Sequence, residues 1–222
     1  MLARGKLRKF DHIRTLPNVL ENNLISPDPL VLSNCWETSI FRDRQDLTLE
    51  LGCGWGEYAL NLGKRHPGRD FIGIDIKGSR LWHGAVRSLE EGLSNVFFIR
   101  MQISHLAYFF PDKSVSEIWL TFPDPHKDSP VRSDRRRLTS PRFLSIYKKI
   151  LKEGGLVHLK TDDSFLYNYT MDTVRREGGM ILRNTDNLYS SALSGDATEI
   201  QTIYEKRYLL QNKSIRYVMF SL

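Results

Sequence analysis

Three acidic residues, Glu50, Asp75 and Asp124, each sit at or near the end of a short apolar run. Glu50 opens the stretch ELGCGWGE, whose glycines are Gly52, Gly54 and Gly56. Glycine lets a backbone approach a ligand closely and take dihedrals closed to other residues, so this turn is a candidate cradle. Asp75 follows Gly56 by nineteen residues. An acid at that place can accept both hydrogen bonds of a ribose diol, which supports an adenosine ligand without choosing its kind. Gln102 ends a third run and could meet an adenine edge, although an ordinary surface glutamine reads the same way. The dinucleotide fingerprint needs a glycine where Glu57 stands, which disfavours an NAD-dependent dehydrogenase. Asp124 lies between Pro123 and Pro125 in LTFPDPHKDSPVRSDRRRL. Each proline fixes its own φ and restricts its predecessor, so the carboxylate's backbone is stiff. Beyond it Lys127, Arg132, Arg135, Arg136 and Arg137 set five positive charges against Asp128 and Asp134, a cluster suited to phosphate.

The surrounding pattern makes these positions strand ends. LTLELGC, DFIGIDI, NVFFIRM, SVSEIWLTF and GGLVHLKTD are apolar runs of strand length. Helical stretches over 57–65, 79–93, 104–110, 141–151 and 164–177 alternate with them. In the second of these, Leu81, Ala85, Leu89 and Leu93 recur every four residues as an apolar face. MILRNT and SIRYVMFSL add two last strands, separated by a polar segment over 186–212. Alternating strands and helices predict an α/β fold: a mostly parallel, seven-stranded sheet with helices on both faces. In such sheets ligands bind beyond the carboxyl ends of the strands. Residues 1–45 lack periodicity and are expected to form a basic extension, with the domain proper over 46–222.

The 222 residues carry a net charge of +6 and a pI near 9.3, which favours an anionic partner, nucleic acid first. Arg4, Lys6, Arg8, Lys9 and Arg14 make a second basic set, for which a solvated surface is the plain alternative. Cys35 and Cys53 imply no disulfide framework, and no Cys/His spacing suggests a metal site. No stretch approaches the roughly 20 apolar residues of a membrane span. The opening MLARGKLRKFDHIRTL lacks a secretory apolar run, which predicts a cytoplasmic protein.

The pattern E-x-G-x-G-x-G over Glu50–Gly56 resembles the first motif of class I S-adenosylmethionine-dependent methyltransferases, whose fold is Rossmann-like. With F-P-D-P at Phe122–Pro125, T-D at Thr161–Asp162 and T-I-Y-E at Thr202–Glu205, the chain resembles the bacterial tRNA (guanine-N7-)-methyltransferase family from about Leu47 to its end. The resemblance implies methyl transfer from S-adenosylmethionine to N7 of a variable-loop guanosine in tRNA. It implies cofactor contacts from Glu50, Gly52, Gly54, Gly56, Asp75, Gln102 and Asp124, with Asp124 also catalytic. Lys127, Asp162, Thr202 and Glu205 match positions assigned to tRNA, and Arg135, Arg136 and Arg137 are expected to hold its phosphates. Gln102 stands where many members have Asp or Asn. His126 replaces the family's tryptophan, and lysine comes one place early. A methyltransferase for another RNA base and a non-catalytic RNA-binding module remain the alternatives.

Overall fold

The computed structural model describes residues 9–21, 46–128, 133 and 135–222. Arg4, Lys6, Arg8, Cys35 and Arg132 therefore lie outside the described residues. The chain divides into two compact units, Met1–Pro111 and Asp112–Leu222.

In the first unit, β1 (Val19–Glu21), β2 (Leu47–Leu51), β3 (Asp70–Asp75) and β4 (Val96–Arg100) lie in the order β1-β4-β3-β2, every pair parallel. All residues of β2 and β3 are buried, as expected of parallel strands covered on both faces. The covering helices are α1 (Glu57–Arg65), α2 (Gly78–Glu90) and the short α3 (Leu106–Phe109). The second helix buries Leu81, Gly84, Ala85 and Ser88, while Leu89 is exposed. Four-residue steps overshoot a 3.6-residue turn by roughly 40° each, so the stripe expected through Leu89 and Leu93 walks off the core face.

In the second unit, β5 (Val115–Thr121) pairs in parallel with β6 (Leu151–Thr161). β6 pairs antiparallel with β8 (Arg216–Ser221), which pairs antiparallel with the edge strand β7 (Met180–Thr185). α4 (Pro141–Ile150) buries Phe143, Leu144, Tyr147 and Ile150. α5 (Ser164–Arg176) is capped by the Asp163 carboxylate, which accepts from Leu166 N at 2.8 Å.

Two expectations need correcting. Eight strands are described where seven were expected. The addition is β1, three residues of the supposed extension, too short to show alternation and held by its pairing with β4. The polar segment 186–212 also contains α6 (Asp196–Glu199) and α7 (Ile203–Leu210). Neither has a clean apolar stripe, but α7 has a capping box, in which the Thr202 hydroxyl accepts from Glu205 N and the Glu205 carboxylate from Thr202 N.

Candidate functional site

The candidate residues of the first unit gather at the carboxyl ends of β2, β3 and β4. Gly56 is the N-cap of α1 with φ +68°, and a Cβ there would come within 2.3 Å of the Phe98 ring. Gly54, at φ +56°, has only open space where a side chain would stand. Its N–H donates to Asp75 Oδ2 at 2.9 Å, and Lys77 N–H donates to Asp75 Oδ1 at 2.8 Å. The two bonds fix the carboxylate's plane, and each oxygen keeps a further lone pair for a ligand hydroxyl.

Glu50 is placed differently from a ligand-facing acid. It is 2% exposed, and its Oε2 accepts from Ala59 N at 2.9 Å in the first turn of α1, where the helix dipole favours negative charge. The Cys53 thiol is pushed well up by burial and by the charges of Glu50 and Asp75, so it stays a neutral, inert thiol. Gln102 is exposed at the start of a 3-10 turn over Ile103–His105. An open glycine turn flanked by an oriented carboxylate fits an adenosine ligand that carries no pyrophosphate.

The second unit presents Asp124, exposed, in the loop that follows β5. Phe122 (φ +52°) and His126 (φ +43°) bracket Pro123-Asp124-Pro125 in the left-handed region. Neither is glycine, and such residues cost on the order of 1–3 kcal/mol each unless their surroundings hold them. His126 is kept below its ordinary imidazole value, first by burial and then by the Arg136 charge, while Asp124 pulls the other way.

Arg135 and Arg136 are exposed, as phosphate-binding arginines should be. Arg137 differs from its two neighbours in the run. It is 5% exposed, donates from Nε to Pro125 O at 2.9 Å and from Nη2 to His126 O at 2.8 Å. Its guanidinium lies 4.8 Å from the Phe165 ring centroid and 4.5 Å from that of Tyr169. Those bonds and rings occupy the group expected to hold RNA.

Lys127 is exposed and paired with Asp163, and Asp162 accepts from Lys213 Nζ at 2.8 Å. Thr202 and Glu205, expected at the substrate, are both buried and form the capping box of α7. Glu205 pairs with Lys160, itself fully buried, at 2.7 Å and accepts from the Tyr189 hydroxyl at 2.7 Å. Lys160 also donates to Ala197 O and Ile200 O, tying the α6 turn to β6. Burial pulls the Lys160 ammonium down and the Glu205 charge opposes it.

Sequence reasoning missed Tyr208. Its ring lies 5.6 Å from that of Phe122 and 4.3 Å below the Lys213 ammonium. Its hydroxyl is pushed up by burial, then by Asp162, with a smaller contribution from Asp124. No spacing signals it, because α7 carries no clean stripe. Among the described residues, no group of three or more His, Cys, Asp or Glu is arranged to hold a metal ion.

A family model described as "Putative methyltransferase" matches residues 44–217. The chain is similar to the tRNA (guanine-N(7)-)-methyltransferase of Christiangramia forsetii, at 41% identity over 225 residues and 100% of both chains. To the protein of that name from Porphyromonas gingivalis it is 43% identical over 217 residues, covering 97% of this chain and 86% of the other. Among solved structures it resembles one described as an antibiotic-related methyltransferase, with a TM-score of 0.64 over 86% of this chain and 94% of the other. At 18% identity that likeness concerns the fold.

Proposed function

We propose, from the premise that the chain belongs to the tRNA (guanine-N(7)-)-methyltransferase family, that it methylates N7 of guanine in tRNA, at a variable-loop guanosine, with S-adenosylmethionine as donor. The observation that carries this is the end-to-end similarity to relatives of that name. The methyltransferase domain is built on residues 46–222, with β1 (Val19–Glu21) of the preceding basic stretch added to its sheet, and the cytoplasm is its place of work. No helix among the described residues is long and apolar enough to cross a membrane.

S-adenosylmethionine supplies an electrophilic methyl group on a sulfonium. Gly52, Gly54 and Gly56 form the wall against which it rests, and Glu50 holds that wall by capping α1. Asp75, oriented by two backbone N–H groups, offers its remaining lone pairs to the ribose hydroxyls. Gln102 faces the adenine edge. Guanine N7 carries an in-plane lone pair and no proton, so no general base is required and alignment is the main task. Asp124 accepts from guanine's N–H edge and offsets the positive charge that grows on the ring during transfer. Arg135 and Arg136 hold phosphates, and Lys127 stays open to one while paired with Asp163. Thr202 and Glu205 serve the substrate by shaping the turn that presents the exposed Tyr204.

Incubation with labelled S-adenosylmethionine and tRNA, followed by nucleoside analysis, tests this proposal. The expected product is 7-methylguanosine. A different methylated nucleoside would assign another base, and tRNA binding without methylation would leave an RNA-binding module.

A further inference from the structure

We infer that Arg137 is a positioning residue that holds Asp124 in place from behind and takes no part in phosphate binding; the inference rests on the function proposed above. The loop Phe122–His126 must keep two non-glycine residues in the left-handed region, with a proline on each side of the carboxylate. Strained backbone of this kind persists only where its surroundings over-determine it. Pro123 and Pro125 have no N–H, so the loop has few donors of its own, and an outside donor must reach its carbonyls. Arg137 does so at two consecutive carbonyls, those of Pro125 and His126, directly after Asp124. A guanidinium presents its donors in a rigid planar fork, which suits two neighbouring acceptors as an ammonium does not. The Phe165 and Tyr169 rings then fix the fork's plane. Neighbouring Arg135 and Arg136 are exposed, so one three-residue run divides between two tasks.

The test measures single-turnover methylation of tRNA at saturating cofactor and tRNA, tRNA affinity against salt, and thermal melting. The variants are Arg137→Lys, Arg137→Gln, His126→Gly and Arg137→Lys combined with His126→Gly. Arg137→Lys should slow the chemical step by roughly 10- to 100-fold, the loss of one charged hydrogen bond, and Arg137→Gln, which also removes the charge, should leave the salt slope of tRNA binding unchanged. Glycine at 126 takes its φ without strain, so the double variant should turn over at least about threefold faster than Arg137→Lys alone, a coupling that a general loss of stability would not produce. If Arg137→Lys melts below the assay temperature, Phe165→Leu removes the ring beneath the fork and should slow the step with the slope intact. A wild-type rate in Arg137→Lys together with a slope lower by about one in Arg137→Gln would make Arg137 a phosphate ligand and overturn the inference. Slowing that His126→Gly does not relieve would overturn it too, leaving a fold residue. A wild-type chain that forms no 7-methylguanosine would instead refute the proposed function, and the inference with it.

Discussion

The acids of the first unit and the acid of the second are held in opposite ways. Asp75 takes both its fixing bonds from backbone N–H groups, and Glu50 is buried against the first turn of α1. Their placement follows from where a strand ends and a helix begins. Asp124 is exposed on a loop whose backbone is strained on both sides, and its support is a side chain thirteen positions later. A carboxylate set by secondary structure is hard to misplace and exposes little of itself. A carboxylate set by a side-chain tie can stay open to a substrate, and one substitution elsewhere can displace it. Glu205 in the second unit is held in the first manner, capping α7 while it pairs with Lys160.

If that division holds, the largest effect belongs to a buried pair. Lys160→Met leaves the Glu205 carboxylate without its cation and should destabilise the fold by about 3–5 kcal/mol in denaturant unfolding. Exposed ion pairs contribute at most about 1 kcal/mol, so Lys127→Ala, which breaks the pair with Asp163, should melt close to wild type. Equal losses in the two variants would erase the distinction between structural and open charges in this unit. Asp75→Asn should cost cofactor affinity of roughly 1.5–3 kcal/mol by calorimetry, with tRNA affinity unaltered. Arg135→Ala combined with Arg136→Ala should lower the log–log salt slope of tRNA binding by about two while cofactor affinity stays fixed. The smallest effect is in pH. With no proton on N7 to remove, and His126 held neutral by burial and Arg136, the single-turnover rate should be flat from neutral pH upward. It should fall only on the acid side of the ordinary imidazole value, where His126 gains charge beside Asp124; a rise with pH through neutrality would demand a base.

Much of the fold was legible because the strands are continuous apolar runs and their helices start and stop at recognisable residues. The α1 helix spans Glu57–Arg65 as its pattern and Pro67 predict. β1 was not legible, because three residues fix no period and only pairing with β4 makes them a strand. The Thr202–Glu205 capping box was not read as a helix start, because it lies in a segment without an apolar stripe and the same four residues matched a substrate motif; both side chains are buried. Asp75 ends β3 as the pattern predicts, while Asp124 lies three residues past the end of β5, in the loop that follows it. Composition could not separate Arg137 from Arg135 and Arg136, since their difference lies in what packs around them: two carbonyls and two aromatic rings. Tyr208 was hidden for the same reason, its neighbours Phe122 and Lys213 being distant in sequence.

The central claim is that the charge of Asp124, held open on its strained loop, lowers the barrier to methyl transfer. Single-turnover methylation by Asp124→Asn, at saturating S-adenosylmethionine and tRNA, tests it most directly, because the amide keeps the shape and one acceptor while removing the charge. The barrier should rise by about 2–4 kcal/mol, a loss typical of one preorganised electrostatic group, with tRNA still bound through the arginines. A rate within about threefold of wild type, less than 1 kcal/mol of barrier, would contradict the account and leave Asp124 a structural strand-end residue.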